Sequence, residues 1–176
     1  KGYWFRSRTD SEVVLNALAE WGVKAFDRFN GMFALALWDR KERVLYLTRD
    51  RMGEKPLYYG LQGGVFLFGS ELKALRMHPA FKGEIDRDVL TLFLRHNYIP
   101  EPYSIYRGVK KLPPGFFLKL DGSSSQFTAQ ELPAPSPYWS FRDAVISGLE
   151  NPYAGNDSDA IKAMEGLLNT AVRGQM

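Results

Sequence analysis

The chain has 176 residues, 45% of them apolar, a formal net charge of +3 and no cysteine. That length suits one domain with enough apolar content for a packed core, and the lack of cysteine excludes a disulfide framework, a zinc–thiolate site or a thiol nucleophile within these residues. No apolar run approaches the roughly 20 residues that cross a bilayer, and basic residues run no longer than pairs such as Lys110-Lys111, so neither membrane nor nucleic-acid binding is expected; a reducing, cytoplasmic setting is.

Thr9 followed three residues later by Glu12 is a capping-box pattern. Val14, Leu18 and Trp21 then repeat at helical spacing until Gly22, which predicts a helix over 10–21. Val23, Phe26 and Phe29 share the face of a second, short helical segment that Asn30-Gly31 ends. Met32 to Trp38 is continuously apolar, as in a strand buried on both faces. The polar turn 39–42 joins it to a second strand from Arg43 to Thr48, giving an antiparallel hairpin. Leu57 to Leu61 and Val65 to Gly69 predict another hairpin around Gln62-Gly63-Gly64. Residues 70–76 read as a short helix capped by Ser70-Glu71.

Asp86 is a candidate N-cap for a helix to Asn97, with Val89, Leu90, Phe93 and Leu94 as its buried stripe. Pro100 and Pro102 enforce a loop, and Phe116 to Leu120 predicts a strand. From Asp121 to Pro137 the chain becomes rich in Ser, Pro and Gln, with one weak strand around Gln126 to Leu132; a second loose stretch follows from Gly148 to Asn156. Asp157 or Ser158 caps a last helix whose apolar face, with Ile161, Met164, Leu168, Ala171 and Val172, needs a partner.

On residue chemistry alone, Asp10 is a first-turn carboxylate that complements a helix dipole. The 49–55 segment, Arg-Asp-Arg-Met-Gly-Glu-Lys, has charge around a glycine but lacks the Gly-x-x-x-x-Gly-Lys-Ser/Thr spacing of a phosphate loop. It reads as a structured loop whose charges pair with one another or face a neighbouring domain. His78 and His96 are not part of a metal-ligand cluster, and no Gly-x-Ser-x-Gly elbow supports serine catalysis, so no metal is expected.

Four phrases taken in order carry a resemblance: Phe5-Arg6-Ser7-Arg8-Thr9-Asp10-Ser11-Glu12-Val13, Asn30-Gly31-Met32-Phe33-Ala34, Arg49-Asp50-Arg51-Met52-Gly53-Glu54-Lys55-Pro56-Leu57-Tyr58-Tyr59 and Ser70-Glu71-Leu72-Lys73-Ala74-Leu75. Together they resemble the glutaminase domain of glutamine-hydrolysing asparagine synthetases, which are class II glutamine amidotransferases. The resemblance implies an α+β fold: part of a four-layer αββα N-terminal-nucleophile hydrolase sandwich, antiparallel sheets flanked by helices, followed by a linker and a helix. It divides the chain into the later part of a glutaminase domain at 1–120, a linker with weak strands at 121–156, and the first helix of a truncated ATP-dependent synthase domain at 157–176.

In that family an N-terminal cysteine attacks the glutamine amide and ammonia passes to an adenylated acid, aspartate in the parent reaction. The resemblance therefore implies an internal fragment of a longer polypeptide, with no catalytic residue of its own and no activity when isolated. Asp10 is its implied contact to the α-amino group of glutamine, since an ionised carboxylate suits an ammonium. Arg49 is placed at a domain interface or on the ammonia route. ATP and magnesium belong to the absent synthetase domain; L-glutamine, the remaining parts of the parent polypeptide and a homodimer are the implied partners. Two alternatives stand beside this reading: a non-catalytic binding or scaffold module with a degenerate glutaminase fold, and another class II amidotransferase, making glucosamine phosphate or phosphoribosylamine. The region after Tyr138 resembles the run-in to a synthetase domain and argues against the latter.

Overall fold

A computed structural model describes residues 2, 4–122 and 132–174. Two compact units divide the chain at Trp139 and Ser140.

Among the described residues of the first unit, seven strands form two antiparallel sheets. The first hairpin joins β1 (Ala34–Asp39) to β2 (Val44–Arg49), with Ala36 opposite Leu47. Its turn is set by Asp39, whose carboxylate accepts the amides of Lys41 and Glu42 at 2.9 and 3.0 Å. The second hairpin joins β3 (Tyr58–Gln62) to β4 (Val65–Gly69). Only Gly63 and Gly64 lie between them, at φ +58° and +80°, a two-residue turn that demands left-handed backbone. Gln62 is therefore the last strand residue rather than part of the turn. Its buried amide group donates to the Arg107 carbonyl and accepts from the Lys82 amide.

β5 (Val109–Lys111), where no strand was expected, pairs with β3. β6 (Phe116–Asp121) pairs with β2, and the two-residue β7 (Ser136–Pro137) adds to β6. The sheet orders are thus β1-β2-β6-β7 and β4-β3-β5. Leu47, Leu118 and Leu120 from the first sheet meet Leu57, Tyr59 and Leu112 from the second in one buried cluster. Period-2 alternation turns the neighbouring residues outward. Phe117 leaves the opposite face of β6 and packs on Phe26 of the 3₁₀ helix Gly22–Arg28, and Leu67 meets Leu75 of α2 (Leu72–Arg76). Helical segments therefore cover the outer sheet faces, and the α+β sandwich expected from sequence is present.

Local differences have physical causes. β1 was expected to be buried on both faces, but it is the edge of its sheet, and Ala36 and Trp38 are exposed. α1 spans Asp10–Trp21 as expected, yet no capping-box side-chain bond forms at Thr9. Glu12 instead turns back to accept from the amides of Arg6 and Ser7 at 2.8 and 2.6 Å, and from the Ser7 hydroxyl. Those donors, the Arg6 amide foremost, hold its carboxyl below the usual range. Ser70-Glu71 likewise makes no side-chain cap: Glu71 occupies the N-cap position but its carboxylate pairs with Lys73.

Asp86 caps α3 (Arg87–His96) through the amides of Asp88 and Val89, and Asn97 closes it in left-handed conformation. Of the expected stripe only Val89 is buried; Leu90, Phe93 and Leu94 are exposed, because among the described residues nothing covers that face. The weak strand expected around 126–132 lies outside the described residues except for Leu132, which packs against the inter-sheet core.

The second unit is two helices. α4 (Phe141–Glu150), capped by Ser140, forms within the stretch read as connector; α5 (Asp157–Arg173) is capped by Asn156, one residue before the expected cap. Neither helix has a buried residue.

Candidate functional site

Asp10 opens α1 and is exposed, and among the described residues its carboxylate has neither a hydrogen-bond partner nor an ion-pair partner. Glu12, two residues on, turns away from the helix to accept the amides of Arg6 and Ser7, which precede it. The Asp10 carboxylate is left available to an external cation. On the side of the same helix an open cleft of about 500 Å³ is walled by Phe5, Val13, Ala17 and Trp21, with Asn16 and Glu20 as its polar groups. Asp10 lies one turn before Val13 and is not part of that wall.

The second locus is the loop that follows β2. Arg49, the last residue of the strand, is buried, and its guanidinium is spent on carbonyls: Nε donates to Lys55 O at 2.8 Å, Nη1 to Leu112 O at 2.8 Å and Nη2 to Gly53 O. Nη1 also donates to the Glu101 carboxylate, a charge-assisted contact across 52 residues of sequence. Asp50 does the complementary work. It is buried, and its carboxylate accepts the amides of Met52, Glu54 and Lys55 at 3.1, 2.9 and 3.0 Å. One side chain thus collects the carbonyls of the 50–55 loop and its neighbour collects the amides.

Gly53 completes the turn at φ +70°, where an added Cβ would come within 2.7 Å of Pro114. Arg51 leaves the loop to donate to the Asp27 carbonyl and carboxylate on the 3₁₀ helix. Two of the loop's cations, Arg49 and Arg51, therefore pair with carboxylates elsewhere in the fold, Glu101 and Asp27. Nearby, burial pushes the Lys111 ammonium down; Glu101 opposes that shift and Arg49 adds to it. The amides of Met52, Glu54 and Lys55 are occupied by Asp50 and so are not offered to a phosphate.

The two residues singled out from sequence thus sit on different elements, Asp10 at the head of α1 and Arg49 at the end of β2. No contact brings them together among the described residues. His78 accepts the Ala80 amide and His96 packs beside Tyr98. Sequence reasoning missed Asp50, Glu101 and Tyr138. Asp50 carried a signal, an Asp two and four residues before amides of a glycine turn, whereas Glu101 is brought to Arg49 only by tertiary structure.

Residues 1–139 match the family described as a glutamine amidotransferase domain, and that match ends where the first compact unit ends. Asparagine synthetase [glutamine-hydrolyzing] 3 of Bacillus subtilis is 39% identical over 119 residues, 67% of this chain and 19% of that protein. The putative asparagine synthetase [glutamine-hydrolyzing] 2 of Methanocaldococcus jannaschii is 33% identical over 159 residues, 88% of this chain and 30% of that protein. A third relative, asparagine synthetase [glutamine-hydrolyzing] 1 of Bacillus subtilis, is 37% identical over 124 residues, 69% of this chain and 20% of that protein. The chain therefore spans less than a third of the length of these relatives. With the family pattern running through the whole two-sheet unit, the chain belongs to the glutamine amidotransferase domain family.

Proposed function

We propose that these residues are the glutaminase part of a glutamine-dependent ligase of the asparagine synthetase type, which hydrolyses L-glutamine and passes the ammonia to an adenylated acid, aspartate in the parent reaction. The similarity to three glutamine-hydrolysing asparagine synthetases, at 33–39% identity, carries this reading. Asp10 binds the α-amino group of glutamine: a carboxylate without a partner among the described residues is a strong acceptor for an ammonium and discriminates against neutral analogues. Covalent release of ammonia needs a nucleophile, a base and an oxyanion hole together. The 176 residues hold no cysteine, so alone they are expected to hydrolyse no glutamine. ATP and magnesium would be bound by the ligase part of the protein; in the 50–55 loop the amides of Met52, Glu54 and Lys55 are taken by Asp50. A cytoplasmic location and a homodimer complete the reading. Among the described residues no helix is long and apolar enough to cross a membrane.

Changing Asp10 to Asn in the full-length gene product tests the ligand assignment. Loss of a hydrogen bond between charged groups, about 1.5–3 kcal/mol, raises KM for glutamine by about ten- to a hundredfold while ammonia-driven synthesis keeps its rate. An unchanged KM removes Asp10 from the site. Arg49 is assigned to the ammonia route or to an interface beside it, so Arg49→Ala should raise the glutamine consumed per amide formed; a ratio equal to that of the native protein rejects that role. The absence of cysteine supports a second reading, a non-catalytic module of the same fold. It predicts a gene product that consumes no glutamine at all.

A further inference from the structure

Two segments distant in sequence converge on the backbone of residues 49 and 50. The Tyr138 hydroxyl donates to Arg49 O at 2.7 Å, and the Gly115 amide donates to Asp50 O at 2.9 Å. Gly115 O in turn accepts the amides of Tyr138 and Trp139, at 2.8 and 3.1 Å. The Tyr138 ring is held independently, 5.9 Å from Phe26, while β7 immediately before it is zipped to β6. These bonds reach the peptide from which both loop-building side chains project: Arg49, which gathers the loop carbonyls, and Asp50, which gathers its amides. Tyr138 and Trp139 are also the last residues of the first unit.

We infer that Tyr138 is a positioning residue, whose hydroxyl ties the point where the chain leaves the first unit to the 50–55 loop and so fixes the direction in which Arg49 is presented. The geometry stands by itself; its weight for the reaction rests on the role proposed above for Arg49. Loss of this bond loosens the loop while the sheets keep their ladders. The phenolic oxygen and the peptide carbonyl are both part-buried, so losing one leaves the other without a partner.

Tyr138→Phe tests this, because it deletes the hydroxyl and keeps the ring against Phe26. Hydrogen exchange of the Met52, Glu54 and Lys55 amides in this chain should accelerate about fivefold, the equivalent of one neutral hydrogen bond, while the ladder amides of Leu61 and Leu118 keep their rates. In the full-length gene product the same change should raise the glutamine consumed per amide product, with KM for glutamine unchanged. Equal acceleration at the loop and the ladder shows general destabilisation and overturns the inference, as does an unaltered loop. A loosened loop with an unaltered glutamine-to-product ratio overturns the positioning role. Arg49→Ala separates this from failure of the underlying reading: if it too leaves the ratio unaltered, the role of Arg49 is what fails.

Discussion

Asp50 and Arg49 show how much structure two adjacent side chains can specify. A buried carboxylate that accepts three amides and a guanidinium that donates to three carbonyls leave little of the 50–55 loop to solvent hydrogen bonding. Asp50→Ala strands three amides, and a loss of about 3–5 kcal/mol in urea unfolding is expected; a change below about 1 kcal/mol would show that the loop is held by other contacts. Tyr138 adds a pH dependence. Burial foremost, with the Asp50 charge second, pushes its phenol well above the ordinary value near 10. The folded state therefore holds this proton more tightly than the unfolded chain does. Its contribution is complete below about pH 10 and declines as pH climbs from there toward the raised folded value. Native protein should consequently lose stability relative to Tyr138→Phe above about pH 10; parallel stability curves would contradict this.

At the scale of elements, the inner face of the first sheet is buried at its centre and open at its edge: Ala36, Leu47 and Leu118 lie side by side on that face. Leu118 is wholly buried between the sheets, and Leu118→Ala should cost about 2–5 kcal/mol; Ala36→Lys, exposed on edge strand β1, should change stability by less than about 0.5 kcal/mol. Comparable costs at the two positions would mean that β1 is covered. Sequence periodicity located the hairpins, α1 and α3 because local signals agree there with tertiary packing: glycines at the turn, a true Asp86 cap and alternation across strands. It failed where the deciding partner is remote. The apolar run 32–38 looks like a central strand until its neighbour on one side proves to be absent from the sheet order. The capping box failed because Glu12 accepts the amides of Arg6 and Ser7, while that of Thr9 donates to the Ser7 hydroxyl. α4 was missed because its Ser140 cap lies in a stretch whose loose flanking composition dominated the reading, and β7 because two residues carry no periodicity. Asp10 was singled out by its phrase and its role belongs to the proposal, whereas the Arg49–Glu101 contact was legible nowhere in sequence.

For the whole molecule, the family match and the two-sheet sandwich coincide in the first unit, while the second unit presents two helices with exposed apolar faces at Val145, Leu149, Ile161 and Leu168. Relatives several times longer than this chain join such a unit to further polypeptide, and the proposal assigns ligase chemistry to that part. The central claim is that nitrogen released from a glutamine side chain reaches an activated acid. The direct measurement is to supply the full-length gene product with glutamine labelled with ¹⁵N in its amide, together with aspartate, ATP and magnesium, and to follow the label by NMR. Label in the side-chain amide of asparagine is the predicted result; glutamine left intact, with no label released as ammonia or transferred, would contradict it.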